Sequence, residues 1–408
     1  MPEQAAPVPL AAQPMTAGAN DDGRRLDRII RKACPAVPLS AVYKLFREKK
    51  ILLDGTAAHP QARVRSGQTI LLLAAAPPAP APAPAPWPAA PPDTALSVVF
   101  ETPALVFVNK GRGIAVHGGT VDGECLAAQV RRYLHGKIAP SLSFVPGPLH
   151  RLDCQTSGLV TFPKTLAAAR DFTAALRSSR IKKVYIAILD GVLKERAAWE
   201  DVLSRDTAAR KTAAGADGGK RAFSQLTPLF HSPQRTGSPQ RTGSPQRTLA
   251  AVRIFTGRTH QIRAQAAAHG LALSGDVKYG GAPLPAACYA GESGRRRGFF
   301  LHAAILELPA GCADIPAGAE IITAPPPPVF VHAVRHLFGK EAAAALIAGV
   351  CLPNEPVPNK RIFYLVVVRK LMRGNRAIAM AMRQSLHRAF SPQSLANNQL
   401  CEMAAKIG

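Results

Sequence analysis

Acidic residues are scarce in this chain: 26 Asp and Glu stand against 51 Lys and Arg, a formal charge of +25 over 408 residues. That imbalance says little about fold and much about partners. Surplus cations favour polyphosphates, through neutralisation of phosphates and release of counterions. An anionic membrane surface is the main competitor, but the sequence has no run of about 18 apolar residues to span a bilayer, and no membrane is expected among its partners. Cysteine is sparse and unpatterned, with seven residues at positions 34, 125, 154, 288, 312, 351 and 401 and no Cys-x-x-Cys spacing. An odd, scattered set argues against a disulfide framework and a zinc ribbon, and fits reduced thiols in a cytoplasmic protein. No Lys or Arg precedes Arg24, so neither a secretory signal nor an Arg-rich transit peptide is expected. A dinucleotide glycine fingerprint and a Walker loop are also missing. No cofactor and no metal site are expected.

What is present divides into segments, since the chain is too long for one ordinary core. Residues 1–22 are rich in Ala, Pro and Gln and are expected to be disordered. From Arg24 onward, Leu26, Ile29, Ile30 and Ala33 recur at helical spacing, with Arg24, Arg25, Arg28, Arg31 and Lys32 at the other positions. Pro35 and Pro38 interrupt, and Ser40 is placed to cap a second helix carrying Val42, Leu45 and Phe46. Strands follow at 49–55 and 68–73. Lys44, Arg47, Lys49 and Lys50 form a basic corner of this module, which spans 23–75. An Ala-Pro tract at 77–92, within a linker expected over 76–95, forbids helix and sheet and reads as extended, up to roughly 50 Å long at ~3.1 Å per residue.

A second domain is expected over 96–340, with strands at 105–110, 181–191, 220–226 and 249–255. Helices are expected at 126–134, 165–178 and 264–269, a late strand from Phe299, and a closing segment at 321–329. Inside it, residues 232–248 repeat Ser-Pro-Gln-Arg-Thr-Gly almost three times. A six-residue period is too short to bury a core, so the repeat reads as an insertion lengthening a hairpin loop, at little thermodynamic cost. Residues 341–408 form a basic extension, nearly free of acid over 361–390.

Four segments carry chemistry. The first is Pro148-Leu149-His150-Arg151-Leu152-Asp153-Cys154-Gln155-Thr156-Ser157-Gly158, which sets one carboxylate beside a cation just before an apolar strand. Taken alone, Asp153 is either a turn residue salt-bridged to Arg151 or a positioned nucleophile or base. The second is Lys183-Val184-Tyr185-Ile186-Ala187, whose alternation puts Lys183, Tyr185 and Ala187 on one face. The third is Gly257-Arg258-Thr259-His260-Gln261-Ile262-Arg263, and the fourth Leu301-His302-Ala303.

In this order, and with Asn109-Lys110-Gly111-Arg112-Gly113-Ile114-Ala115-Val116-His117-Gly118-Gly119 before them, these segments closely resemble the RluA-type family of RNA pseudouridine synthases, over roughly residues 24–334. Residues 115–119 are nearest the RluC-type members, and the module at 23–75 resembles an S4-type RNA-binding domain. The resemblance implies an α+β fold: a catalytic domain built on a central, mostly antiparallel mixed sheet, behind a small α/β S4-like domain. It implies a monomer that acts on 23S ribosomal RNA without a cofactor. It also assigns roles. Asp153 is the catalytic aspartate, Tyr185 stacks on the flipped uracil, Arg263 pairs with the aspartate, and Arg151 fills the vacated stack. Arg258 and His260 support the RNA or the loop, while Lys44, Arg47, Lys49 and Lys50 meet phosphates.

The chemistry agrees with those assignments. Pseudouridine formation breaks the N1–C1′ bond, turns the base and joins C5 to C1′. It needs one ionised carboxylate in a pocket that excludes water, and a base extruded from its stack. A transfer-RNA substrate is one alternative. Another is an RNA-binding ribosome-assembly factor that has lost catalysis, against which the joint presence of Asp153, Tyr185 and Arg263 argues. The chain departs from the family pattern at Cys154 and Gln155, where a basic or polar residue and Asp are usual, and at Gly111, where Pro usually follows the lysine.

Overall fold

The computed structural model describes residues 11–74, 96–118, 124–206, 211–215, 218–233, 246–290, 292 and 297–349. The expected linker, most of the repeat and the basic extension beyond 349 lie outside these residues. The chain divides into two compact units between Phe338 and Gly339.

The N-terminal module consists of β1 (Ala11–Thr16), α1 (Leu26–Ala33), α2 (Leu39–Arg47), β2 (Ile51–Leu53), β3 (Thr56–Ala57) and β4 (Thr69–Ala74). Its sheet runs β1-β4-β2-β3. The helical spacing read from the sequence is the packing face. Leu26, Ile29 and Ile30 of α1 and Val42 and Phe46 of α2 are buried against Ile51, Val64, Ile70 and Leu72. Two expectations are corrected here. Helix α2 starts at Leu39 after Pro38, so Ser40 lies inside the first turn and caps nothing. The disorder expected over 1–22 does not hold for residues 11–22. Strand β1 pairs with β4 from Ala11↔Ala74 to Thr16↔Thr69. Asp21 is fully buried and accepts hydrogen bonds from Ser141 Oγ (2.7 Å) and from the backbone N–H of Leu142 (2.8 Å) and Ser143 (3.1 Å). Burial raises its pKa, but the bonds from Ser143, Leu142, Ser141 and Gly18 outweigh that and hold the carboxyl below its ordinary value. Composition is a local quantity, and partners 120 residues away are invisible to it.

The second domain follows as β5 (Val98–Glu101), β6 (Leu105–Lys110), α3 (Leu126–Leu134), β7 (Ser157–Pro163), α4 (Leu166–Arg177), β8 (Lys182–Asp190), β9 (Ala197–Asp206), β10 (Lys211–Ala214), β11 (Lys220–His231), β12 (Arg247–Ile254), α5 (Gln261–Ala268), β13 (Leu301–Glu307), β14 (Ile321–Thr323) and α6 (Pro328–Phe338). One sheet holds all ten strands in the order β10-β9-β11-β12-β8-β13-β7-β6-β5, with β14 beside β13. It is antiparallel except where β13 meets β7 in parallel, at His302↔Ser157 and Ala303↔Gly158. This is the α+β architecture expected from the sequence. No helix among the described residues is long and apolar enough to cross a membrane.

Strand alternation sorts the two faces. Leu105, Phe107 and Leu159 pack with Phe172 of α4 on one side. Val106, Val108, Val160 and Phe162 pack on the other with Leu126 and Val130 of α3, Leu152 and Ile262 of α5. All seven residues of β7 are buried, as befits a strand covered on both faces. Strands β11 and β12 pair antiparallel on either side of the repeat. The last two residues of the repeat are strand: Arg247 and Thr248 begin β12, and Arg247 is buried with Nε 3.2 Å from Asp190 Oδ1. In the second compact unit, the described structure is α7 (Lys340–Ile347).

The parallel β13–β7 seam admits almost no side-chain volume. Gly158 has φ +113°, and a Cβ there would sit 2.2 Å from the Ala303 carbonyl oxygen. We expect Gly158→Ala to destabilise the fold by about 3 kcal/mol through strain and overpacking, read as a thermal midpoint several degrees lower; an unchanged midpoint would contradict the close approach. In the same seam, fully buried His302 has Nε2 3.0 Å from the Ala324 carbonyl and Nδ1 3.0 Å from Ser157 Oγ. A carbonyl only accepts, so Nε2 carries the proton and Nδ1 accepts from the serine hydroxyl. Burial lowers the pKa of His302 from 6.5 to about 4. On acidification the unfolded chain therefore takes up this proton first. The stability is complete above pH 6.5 and is lost as pH falls through about 4, roughly 3 kcal/mol in all. Compared with wild type, His302→Gln should show a stability–pH slope smaller by one proton across this window; identical slopes would refute the assignment.

Candidate active site

The loop before β7 is held by its backbone. The Asp153 carbonyl accepts from Thr156 N–H (3.0 Å), closing a turn, and the Cys154 carbonyl accepts from Gly113 N–H (2.9 Å). Lys110, at the end of β6 and 1% exposed, donates from Nζ to the carbonyls of Cys154 (3.0 Å), Gly111 (2.8 Å) and Ile114 (2.9 Å). Three acceptors match the three donors of an ammonium. Burial lowers its pKa to about 7, with Cys154 and Asp153 opposing the shift. At position 154 the loop thus uses a backbone carbonyl, which gives the cysteine there a structural account.

Arg263 enters from the first turn of α5 and is 8% exposed. Its Nη1 lies 3.1 Å from Asp153 Oδ2. Its Nε and Nη2 fork onto Asp276, 2.6 Å from Oδ2 and 2.9 Å from Oδ1. The guanidinium is sandwiched by rings, 4.7 Å from the Tyr279 centroid and 4.5 Å from that of Phe299. Burial opposes its charge, but Asp276 and then Asp153 outweigh burial and raise its pKa.

His260 adopts a left-handed conformation (φ 53°) at the cap of α5, with Nε2 3.7 Å from Asp153 Oδ1. The Tyr279 oxygen accepts from Thr212 N–H at 2.9 Å and lies 2.8 Å from His260 Nδ1. Burial lowers the pKa of His260, although Asp153 favours the imidazolium. In the neutral ring the tyrosine hydroxyl donates to Nδ1 and leaves Nε2–H facing the carboxylate. Gln261 pins the preceding turn: its Oε1 accepts from Arg258 N–H (3.0 Å) and Thr256 Oγ1 (2.8 Å), while its Nε2 donates to the Phe223 carbonyl (3.1 Å).

Tyr185 occupies the middle of β8, opposite Val252 of β12 and Ala303 of β13, and is 7% exposed. Burial, and then the Asp153 charge, push its pKa up. The structure thus brings Asp153, Tyr185, His260 and Arg263 together. It does not bring Arg151 to the carboxylate: the Asp153–Arg151 ion pair of the turn-residue alternative is absent among the described residues, and Arg151 is exposed. Arg258 is also exposed and donates from Nε to the Arg221 carbonyl (3.1 Å). Lys44, Arg47, Lys49 and Lys50 lie away from this site, at the C-terminal end of α2, where Glu48 takes Lys50 at 2.8 Å and Lys44 at 3.8 Å. Sequence reasoning missed Asp276, Tyr279 and Phe299. The available signal was indirect, because a buried arginine demands more than one carboxylate oxygen.

Comparison with known proteins bears on the family. The family model described as RNA pseudouridylate synthase matches residues 104–268. Ribosomal large subunit pseudouridine synthase D of Pseudomonas aeruginosa is 30% identical over 263 residues, covering 64% of this chain and 74% of that protein. The protein of the same name from Vibrio parahaemolyticus is 30% identical over 299 residues, covering 70% and 82% respectively. Among solved structures, Human RNA Pseudouridylate Synthase Domain Containing 1 aligns with a TM-score of 0.43 at 23% identity, over 58% of this chain and 87% of that one.

Lysine cannot reproduce a fork that grips two carboxylates. We expect Arg263→Lys to lower turnover roughly 100-fold, the scale set by a displacement of about 1 Å in a catalytic group, with RNA affinity little changed. A variant that turned over at the wild-type rate would remove Arg263 from the machinery. The relatives' identity over about three quarters or more of their length, together with the family match over residues 104–268, makes this chain a member of the RluA-type family of RNA pseudouridine synthases.

Proposed function

We propose that the chain isomerises specific uridines of large-subunit ribosomal RNA to pseudouridine, with Asp153 as the catalytic carboxylate. The observation that carries this is the arrangement around Asp153: one oxygen on Arg263, the other facing His260, and Tyr185 close enough to feel its charge. The names of the relatives support the substrate class. The reaction breaks N1–C1′ and forms C5–C1′; the proton leaves C5 and N1 gains one, so nothing is oxidised or reduced. One positioned carboxylate, acting as nucleophile or base, is the group it requires.

Tyr185 stacks against the extruded uracil, and exposed Arg151, two residues before Asp153, enters the space the base leaves. Arg258 and His260 hold the RNA-facing loop. The N-terminal module acts as an S4-type RNA-binding domain, in which Lys44, Arg47, Lys49 and Lys50 meet phosphates. The enzyme works as a monomer in the cytoplasm. Residues 115–119 favour the targets of RluC-type members, whereas the relatives are named synthase D; mapping the modified sites separates the two.

Asp153→Ala should lower pseudouridine formation by roughly 10⁴-fold or more, the scale seen when a nucleophile is removed, while RNA binding persists. Chemical mapping of ribosomal and transfer RNA from a deletion strain should show specific large-subunit sites lost. Loss confined to transfer RNA would overturn the substrate assignment, and no loss at all would overturn the function.

A further inference from the structure

Five arginines converge on one groove where the N-terminal module meets α4. Arg24, Arg25, Arg28, Arg63 and Arg170 line it with Leu166, around a volume of about 320 Å³. They come from three separate stretches: the start of α1, the segment before β4, and α4. Bringing like charges together costs energy, so the means of holding them matter. Arg24 Nη1 donates to the Ser143 carbonyl (3.1 Å) and Arg63 Nη1 to the Gly23 carbonyl (2.8 Å). Those contacts orient the guanidinium groups without neutralising them. Arg25 is forked onto Asp27, at 3.1 and 2.7 Å. Arg28 and Arg170 are exposed, with no carboxylate at ion-pair distance among the described residues. Burial, together with repulsion from Arg170 and Arg28, lowers the pKa of Arg24, with Asp21 opposing. The groove is thus a fixed cluster of positive charge, assembled by the same docking that buries Asp21.

The lining identifies the ligand. Guanidinium groups match phosphate oxygens in geometry and charge. Leu166 is the one apolar residue in the lining, and no ring offers a platform for stacking a base. Such a site grips a backbone and reads no sequence. Strand β7 carries the Asp153 loop before its first residue and leads into α4 after its last. Seven residues of strand, on the order of 20 Å by the rise of a strand, thus run between the Asp153 loop and the approach to α4.

We propose that this groove binds phosphates of the substrate RNA and anchors it several nucleotides away from the reacting uridine. The proposal rests on the reading of the chain as a synthase acting on ribosomal RNA. It is distinct from the basic corner at Lys44–Lys50, two of whose lysines already share Glu48.

Arg28→Gln/Arg170→Gln in the full chain is the test, because neither side chain supports the fold through a carboxylate. The probe is an in vitro transcript of large-subunit ribosomal RNA. Its Kd is measured against salt concentration, alongside the single-turnover rate at saturating RNA. We expect Kd to rise about tenfold and the slope of log K against log salt to shrink by one to two units, at about 0.7–0.9 per phosphate. The rate at saturation should stay within about twofold of wild type, as for residues that supply binding alone. Unchanged affinity and slope overturn the proposal. So does a variant that loses binding to anionic phospholipid vesicles while keeping its affinity for RNA. If wild type forms no pseudouridine in any ribosomal RNA yet the variant still loses RNA affinity, the assigned reaction fails and the groove stands as an RNA site.

Discussion

Everything at this site depends on a buried guanidinium divided between two carboxylates. Removing Arg263 from water costs several kcal/mol, and the interior repays that only when geometry and hydrogen bonds are good. The fork onto Asp276 supplies most of the compensation, leaving Nη1 free to hold Asp153 at 3.1 Å. Asp276 therefore keeps the arginine in place, and the arginine keeps the Asp153 carboxylate in place. Tyr279 takes part twice, lying against the guanidinium and setting the proton on His260. Three segments meet at this one cation: the first turn of α5, the loop around residue 276 that follows 13 residues later, and the loop before β7, 110 residues away in the chain.

The sheet makes that meeting possible. Strand β13 inserts between β8 and β7, bringing Ala303 beside both Tyr185 and Gly158. Its close parallel approach to β7 needs a glycine at 158, and the loop immediately before carries Asp153. Buried Lys110 ties the same loop to β6 by gathering three carbonyls. The carboxylate is thereby positioned from its backbone side as well as from its oxygens, and the two constraints are independent. The unusual Cys154 sits where the backbone does the holding, which reconciles a departure in sequence with an intact site.

Much of this was legible in the residues. The spacing of Leu26, Ile29 and Ile30 marked a helix face that is buried, and the alternation around Tyr185 placed it on the face that reaches Asp153. Ordered motifs singled out Asp153, Tyr185 and Arg263, which do lie together. What stayed hidden depended on contacts between distant segments. Ala11–Thr16 looks like disordered chain until β4 offers it an edge. Strand β9 buries Trp199 and Leu203 but interleaves them with charged residues, so its pattern reads as polar surface. Arg151 is two residues from the carboxylate in sequence, yet Arg263, 110 residues away, takes the ion pair. Asp276 sits in a segment that resembles any other loop, and only the arginine it grips reveals its purpose.

A double-mutant cycle between Arg263→Lys and Asp276→Asn tests the central claim most directly, read as single-turnover pseudouridine formation at saturating RNA. If Asp276 acts by holding Arg263 against Asp153, the two changes disable one device, and the double variant should be no more than a few-fold slower than the worse single variant. Effects that multiply would show the two residues acting independently, and would contradict the account of a carboxylate positioned through this chain of charges.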